Sequence, residues 1–249
     1  KVVIGGPFAS LSPELVRPHC DVLVRGESEE IAAELFADLR AKKPKDEYLG
    51  GKPDLSKTPA PRWDLYRNDR ALLGAIQTSR GCPFECEFCD VIQYLGRKQR
   101  HKPIANVLDE VETLYRLGYR HVFLADDNLT AYRSRAKELL QALAWWRRDK
   151  KMNFVSQMSI DVTRDEEMLR MSAAAGITQV FVGIETPNVE SLKETGKRQN
   201  LKVDLGVEVQ KLVDHGISVM GGMIVGFDAD TLDVFRAQYE FAQTTAVPM

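Results

Sequence analysis

The sequence predicts an α/β protein: a partial (βα)6-type barrel over residues 71–249, preceded by the C-terminal half of an open, Rossmann-like sheet domain. From residue 71 onward, apolar strand-like runs alternate with amphipathic helical patterns, the signature of parallel strands joined by helical crossovers. Gly118, Gly176 and Gly216 each stand just ahead of such a run, where a helix must end. A full eight-fold barrel takes about 250 residues. The shorter stretch therefore fits six strand–helix units, the last cut near its strand.

Residues 1–40 read as strand, loop, short strand and helix. Val2-Val3-Ile4 is an apolar run ended by Gly5-Gly6-Pro7, and Asp21-Val22-Leu23-Val24 is a second, closed by Gly26. Between Glu29 and Arg40, Ile31, Leu35, Phe36 and Leu39 recur at helical spacing. The first residue is Lys1 and a strand is already under way, so the chain reads as an excised piece of a longer protein. Residues 41–70 hold Pro44, Pro53, Pro59, Pro61 and Gly50-Gly51 and read as a linker, with Trp63, Leu65 and Tyr66 pinning its end onto the next domain.

In the barrel, strands are expected at 72–77, 121–125, 154–159, 179–184 and 218–225, and helices at 104–117, 135–148, 165–174, 203–215 and 231–243. Working residues of such folds sit at the carboxyl ends of the strands. Residues 79–90, 126–128, 157–161, Glu185 and 226–230 then share one mouth.

The 249 residues carry a net charge of −2, which excludes a whole-surface field for nucleic acid or an anionic membrane. No apolar run approaches the ~20 residues of a membrane-spanning helix. Of four cysteines, Cys82, Cys86 and Cys89 fall within one short stretch, a ligand pattern rather than a crosslinking one. Such thiolates survive best in a reducing compartment, which favours the cytoplasm.

The spacing of Cys82, Cys86 and Cys89 is CxxxCxxC. One loop that supplies three thiolates suits an iron–sulfur cluster, with the fourth iron left open. The alternatives are a zinc knuckle, which would want a fourth ligand, or three structural cysteines. Cys20, beside His19, lies far off in the other segment and reads as an ordinary buried cysteine.

Thr78-Ser79-Arg80-Gly81-Cys82-Pro83-Phe84-Glu85-Cys86-Glu87-Phe88-Cys89 resembles the cluster loop of the radical S-adenosylmethionine superfamily. Asp90, Tyr94, Gly96, Arg97, Lys98 and Arg100 extend the similarity to its cobalamin-binding branch, which includes hopanoid C-2 methylase-like proteins. The resemblance implies a [4Fe–4S] cluster on Cys82, Cys86 and Cys89 whose open iron chelates S-adenosylmethionine, one electron then splitting a carbon–sulfur bond to give a 5′-deoxyadenosyl radical. Phe88 would pack near the adenine, or simply fill the loop. Asp126, Asp127 and Asn128 would meet the methionine amino group, or cap the following helix. Glu185 would take the ribose hydroxyls, or only end its strand. Lys197 and Arg198 would hold the methionine carboxylate, or form a solvated turn. Gly222 and Gly226 resemble the glycine-bearing fifth strand beneath the adenine, although Asp228 and Asp230 stand where relatives often carry Glu. Gly5 and Gly6 resemble the double glycine of cobalamin-binding domains, supported by Arg25-Gly26-Glu27. Gln157, Ser159 and Asp161 form a polar strand end whose role is open.

Arg97, Lys98, Arg100 and Lys102 form the one basic cluster, either a grip for an anionic substrate or cofactor phosphate, or a solvated loop. Trp145 and Trp146 read as core and interface packing. The resemblance implies a cobalamin-dependent methyltransferase acting on an unactivated carbon of a lipid or natural product, served by an electron donor such as flavodoxin or ferredoxin and membrane-associated should the substrate be a lipid. The alternatives are radical cyclisation, rearrangement or methylthiolation, and a non-catalytic metal-binding module. A methylthiotransferase would carry a further cysteine trio upstream, and the visible part offers only Cys20.

Overall fold

The computed structural model describes residues 1–201, 203–245 and 247. Its N-terminal unit is a parallel sheet of β1 (Val3–Ile4), β2 (Val22–Arg25) and β3 (Glu47–Leu49), in that order. Between β1 and β2 lie α1 (Pro7–Leu11) and α2 (Pro13–Val16), where the sequence predicts only a loop. Each opens on a proline, whose missing N–H costs nothing in a first turn. Helices this short leave no periodicity to read. α3 (Ala32–Arg40) buries Leu35 and rests Ile31 and Leu39 against Val22, Val24 and Tyr48, whereas Phe36 faces outward.

The segment 41–70, predicted as a linker, holds β3, which adds a third strand to the sheet. Its one inward side chain, Tyr48, donates its hydroxyl hydrogen to Asp38 at 2.6 Å. A three-residue strand shows no alternation to detect. Further along, Trp63 packs on the barrel core and meets the Tyr119 ring at 6.3 Å, while Leu65 and Tyr66 are exposed. Of the three, Trp63 does the pinning, helped by Asn68, whose Oδ1 accepts from the Tyr119 hydroxyl at 2.7 Å.

The second unit begins with β4 (Gly74–Ile76) and an antiparallel hairpin of β5 (Ser79–Arg80) and β6 (Arg100–His101), which encloses the short α4 (Val91–Tyr94). Then come α5 (Ile104–Arg116), β7 (His121–Leu124), α6 (Arg133–Arg147), β8 (Asn153–Gln157), α7 (Glu166–Ala175) and β9 (Ile177–Glu185). α8 (Val189–Glu194), α9 (Leu205–Asp214), β10 (Ser218–Met223) and α10 (Val234–Thr244) complete it. β10, β9, β8, β7 and β4 are neighbours in that order, every pair parallel. The predicted strands and helices are all present with shifted ends, and the β5–β6 hairpin, α4 and α8 are additions. Among the described residues the sheet has five strands, so the sixth predicted unit is not seen.

Helical spacing builds the core. α5 buries Val107, Val111 and Leu114, and Leu114 lies so near β4 that a Cβ on Gly74 would sit 2.7 Å from it. α6 buries Ala136, Leu139, Leu140, Leu143 and Trp146. Trp145 is 64% exposed, so only its neighbour packs as predicted. α7 starts on Asp165, which accepts from the Met168 N–H at 3.0 Å, and stops on Gly176 at φ 86°. With every strand parallel, the loops after β4, β7, β8, β9 and β10 emerge at one end.

Candidate functional site

The loop between β5 and β6 carries Cys82, Cys86 and Cys89, all free thiols. Backbone hydrogen bonds clamp it from several sides. The Cys82 N–H donates to the Gly96 carbonyl at 3.2 Å, the Gly81 N–H to the Asp127 carboxylate at 2.9 Å and the Glu87 N–H to the Thr195 carbonyl at 3.0 Å. Cys86 is buried and the other two are half-buried. Burial pushes the Cys82 and Cys89 thiols up; the backbone N–H groups of Phe84 and Val91 oppose this, and the neighbouring cysteines reinforce it. The three sulfurs thus share one electrostatic neighbourhood.

Among the described residues no three His, Cys, Asp or Glu side chains gather around a single ion position. A cluster takes one thiolate per iron, so its ligands need not converge on a point. Three neighbouring thiols on a clamped loop fit such a group, and metal binding would supply the driving force for their ionisation.

Asp126 follows the end of β7 and is completely buried. Its carboxylate accepts from the Thr78 N–H at 3.0 Å, the Thr78 hydroxyl at 2.9 Å, the Ser79 hydroxyl at 2.8 Å and the Ser79 N–H. Burial pushes this carboxyl up to about 6, with the four donors pulling the other way. It fixes the approach to the cysteine loop and is no helix cap, because α6 opens behind Tyr132. Asp126→Asn would point amide hydrogens at donors and leave a buried N–H unpaired, a loss of roughly 1–3 kcal/mol. Thermal melting should register this, with lower iron uptake by the loop; an unchanged melt and uptake would contradict the assignment.

Asn128 is buried and likewise internal. Its Nδ2 donates to the Ser159 hydroxyl at 2.9 Å, and its carbonyl accepts from Gln99 at 2.8 Å. Asp161 accepts from the Ser159 hydroxyl at 2.6 Å and pairs with Arg133 at 3.0 Å. Of the polar end of β8, Ser159 and Asp161 are therefore engaged within the protein.

At the end of β9, Glu185 adopts φ 65°, a left-handed conformation that a non-glycine residue holds only at a cost of about 1–3 kcal/mol. Its carboxylate accepts from Lys197 Nζ at 2.6 Å in a nearly buried pair. A Cβ on Gly183 would collide with both groups, so the glycine makes their room. Lys197 Nζ also lies 5.7 Å from the Phe88 ring centroid, and Phe88 meets the Phe227 ring at 6.0 Å. The Lys197 charge acts on the Cys89 thiol as well. Phe88, Glu185 and Lys197 are thus gathered beside the third cysteine. Arg198 is exposed and lines a small recess with Pro83, Phe84 and Glu85, apart from that group.

Gly222 lies in β10 against the Phe181 ring, which a Cβ would strike at 2.5 Å. Gly226 lies beyond the strand, in a turn where its N–H and that of Phe227 donate to Asp230 at 3.0 and 3.1 Å. Asp230 therefore shapes this turn, while Asp228 is exposed.

Gly5 and Gly6 open onto a cavity of about 660 Å³ between the two units. Gly26, Glu27, Arg80, Tyr94 and Asp127 also line it, so one wall belongs to the N-terminal sheet and the other to the flanks of the cysteine loop. The volume suits a sizeable organic ligand.

Part of the cavity wall is an ion network that the sequence does not announce. Glu27, 4% exposed, pairs with Arg80 at 2.5 Å and with Arg100 through both oxygens. Arg80 also reaches Glu29 at 2.6 Å and Gln77 at 2.7 Å. The basic cluster is accordingly split: Arg97 and Lys98 are exposed, as the solvated-loop reading has it, whereas Arg100 and Lys102 are drawn inward by carboxylates. Arg100 is held by Glu27, Lys102 by Glu110 in a buried pair at 2.6 Å, and Arg97 by Glu85 at 2.5 Å. Cys20 is half-buried against the small cluster of Ala9, Val16 and Leu23.

The model of the Radical SAM superfamily matches residues 76–242. An uncharacterized methyltransferase of Synechocystis sp. is 38% identical over 99% of this chain and 47% of its own length. The hopanoid C-2 methylase of Rhodopseudomonas palustris is 30% identical over 100% of this chain and 48% of its own length. The chain spans about half the length of these curated relatives. In fold it is similar to the radical S-adenosylmethionine methyltransferase TsrM of Kitasatospora setae, solved with tryptophan and a SAM analogue, with a TM-score of 0.79 at 21% identity over 98% of this chain and 53% of that one.

Proposed function

Since this chain belongs to the Radical SAM superfamily, we propose that it cleaves S-adenosylmethionine reductively at a [4Fe–4S] cluster and, with cobalamin, methylates an unactivated carbon of a lipid or natural product. The observation that carries the reading is the gathering of three clamped thiols, the Phe88–Lys197–Glu185 group and the inter-unit cavity at one end of a parallel sheet. Cys82, Cys86 and Cys89 would hold the cluster, which when bound supplies the electron that breaks a carbon–sulfur bond. Phe88 would offer the adenine an apolar face, and Glu185 would accept from the ribose hydroxyls. Lys197 would steady the Glu185 carboxylate and stand ready for the methionine carboxylate. Asp127, half-buried and accepting from the Gly81 N–H, would take the methionine ammonium.

Gly5 and Gly6 would let cobalamin approach the backbone of the N-terminal sheet, opposite the cysteine loop. An electron donor such as flavodoxin or ferredoxin completes the proposal. No helix among the described residues is long and apolar enough to cross a membrane; we infer a cytoplasmic setting because ligand thiolates survive best in a reducing compartment, with membrane association should the substrate be a lipid. The test is anaerobic reconstitution with iron, sulfide and hydroxocobalamin, then reduction with S-adenosylmethionine present. Both 5′-deoxyadenosine and S-adenosylhomocysteine, with cobalamin retained, are expected. Deoxyadenosine alone, without bound cobalamin, would shift the reaction class to cyclisation or rearrangement.

A further inference from the structure

We infer that Gln199 is a positioning residue that raises the reduction potential of the cluster by hydrogen-bonding the Cys86 sulfur, an inference that rests on the cluster reading above. Cys86 takes its donor from a side chain: Gln199 Nε2 lies 3.6 Å from its sulfur. Both partners are buried, Cys86 at 7% and Gln199 at 8% exposure. The Gln199 Oε1 has no partner among the described residues, so no competing bond turns the amide away from the sulfur.

The surrounding segment explains how a surface connection delivers a buried amide there. The Thr195 carbonyl accepts from the Glu87 N–H, Lys197 holds Glu185, and Asn200 Nδ2 donates to the carbonyls of Gly183 and Ile184 at 3.0 Å each. Residues 195–200 thus strap the end of β9 to the cysteine loop, with Gln199 at the centre of the strap. A donor to a thiolate sulfur offsets negative charge and favours the more negative, reduced cluster, which raises its potential.

The experiment compares the wild-type chain with Gln199→Met, which keeps the size but loses the donor, and Gln199→Glu, which keeps the shape but offers the sulfur a carboxylate. Iron and sulfide content, melting temperature and an EPR-monitored redox titration are read for each. With cluster content equal, the reduced-to-oxidised ratio at a fixed poise is expected to fall about tenfold in Gln199→Met, a negative shift of about 59 mV for one electron. Gln199→Glu should shift further in the same direction. Equal content with unchanged potentials in both variants would overturn the inference, as would loss of the cluster from both, since the amide would then serve assembly and not potential. A wild-type chain that takes up no cluster would instead sink the cluster reading, and this inference with it.

Discussion

Cys86→Ala is expected to abolish cluster binding while leaving the fold standing. Its sulfur is buried between the cysteine loop and the strap of residues 195–200, so no water or surface carboxylate can replace it as a ligand. Iron content of the anaerobically reconstituted chain should fall from about four per chain to near zero, because two thiolates do not retain the group. The packing lost with one small side chain is about 1 kcal/mol, a drop of only about 2–4 °C in melting temperature. Cys20→Ala is the control and should keep its iron, since Cys20 sits in the N-terminal unit against Ala9, Val16 and Leu23. A Cys86→Ala chain that still loads a full complement of iron would contradict the ligand assignment.

Glu27→Ala has the largest expected effect on stability. Removing this carboxylate takes away the carboxylate partner of Arg100, which keeps only the Pro53 and Leu95 carbonyls, and one of the two of Arg80; their side chains are only 16% and 17% exposed. Breaking a buried pair from one side costs about 3–5 kcal/mol, because the remaining charge stays desolvated. Arg80 retains Glu29 and Gln77, so a value near 3 kcal/mol is expected, or roughly 6–12 °C in melting temperature for a chain of this size. Glu27→Gln, which preserves the shape and an acceptor, should cost less. Urea titration checks both, and a change below ~1 kcal/mol for the alanine variant would show that the network carries little of the contact between the two units.

Much of this arrangement is written locally in the chain. Cys82, Cys86 and Cys89 lie in one loop, and a motif at fixed offsets survives whatever the rest of the fold does. The helix-ending glycines are equally legible: Gly118, Gly176 and Gly216 all adopt left-handed φ of 96°, 86° and 75°, ahead of β7, β9 and β10. The strand ends follow, and with them Glu185 and Asp126. What stayed hidden was made by distance. Arg100 meets Glu27 across 73 residues and Gln199 meets Cys86 across 113, and neither contact leaves a period or a spacing in the sequence. Asp126 was visible as a residue at the mouth, but only the fold shows its carboxylate taken up by Thr78 and Ser79. Likewise Lys102 looked like surface charge beside Arg97 until β6 carried it inward to Glu110.

The central claim is that the three thiols hold a cluster with an iron free to bind S-adenosylmethionine. The most direct measurement is the EPR spectrum of the reconstituted, reduced chain with and without S-adenosylmethionine. A reduced [4Fe–4S] signal that changes shape when S-adenosylmethionine is added, in the wild type and not in Glu185→Ala Lys197→Ala, is the predicted result. A fully loaded cluster whose spectrum is identical with and without S-adenosylmethionine would contradict the account.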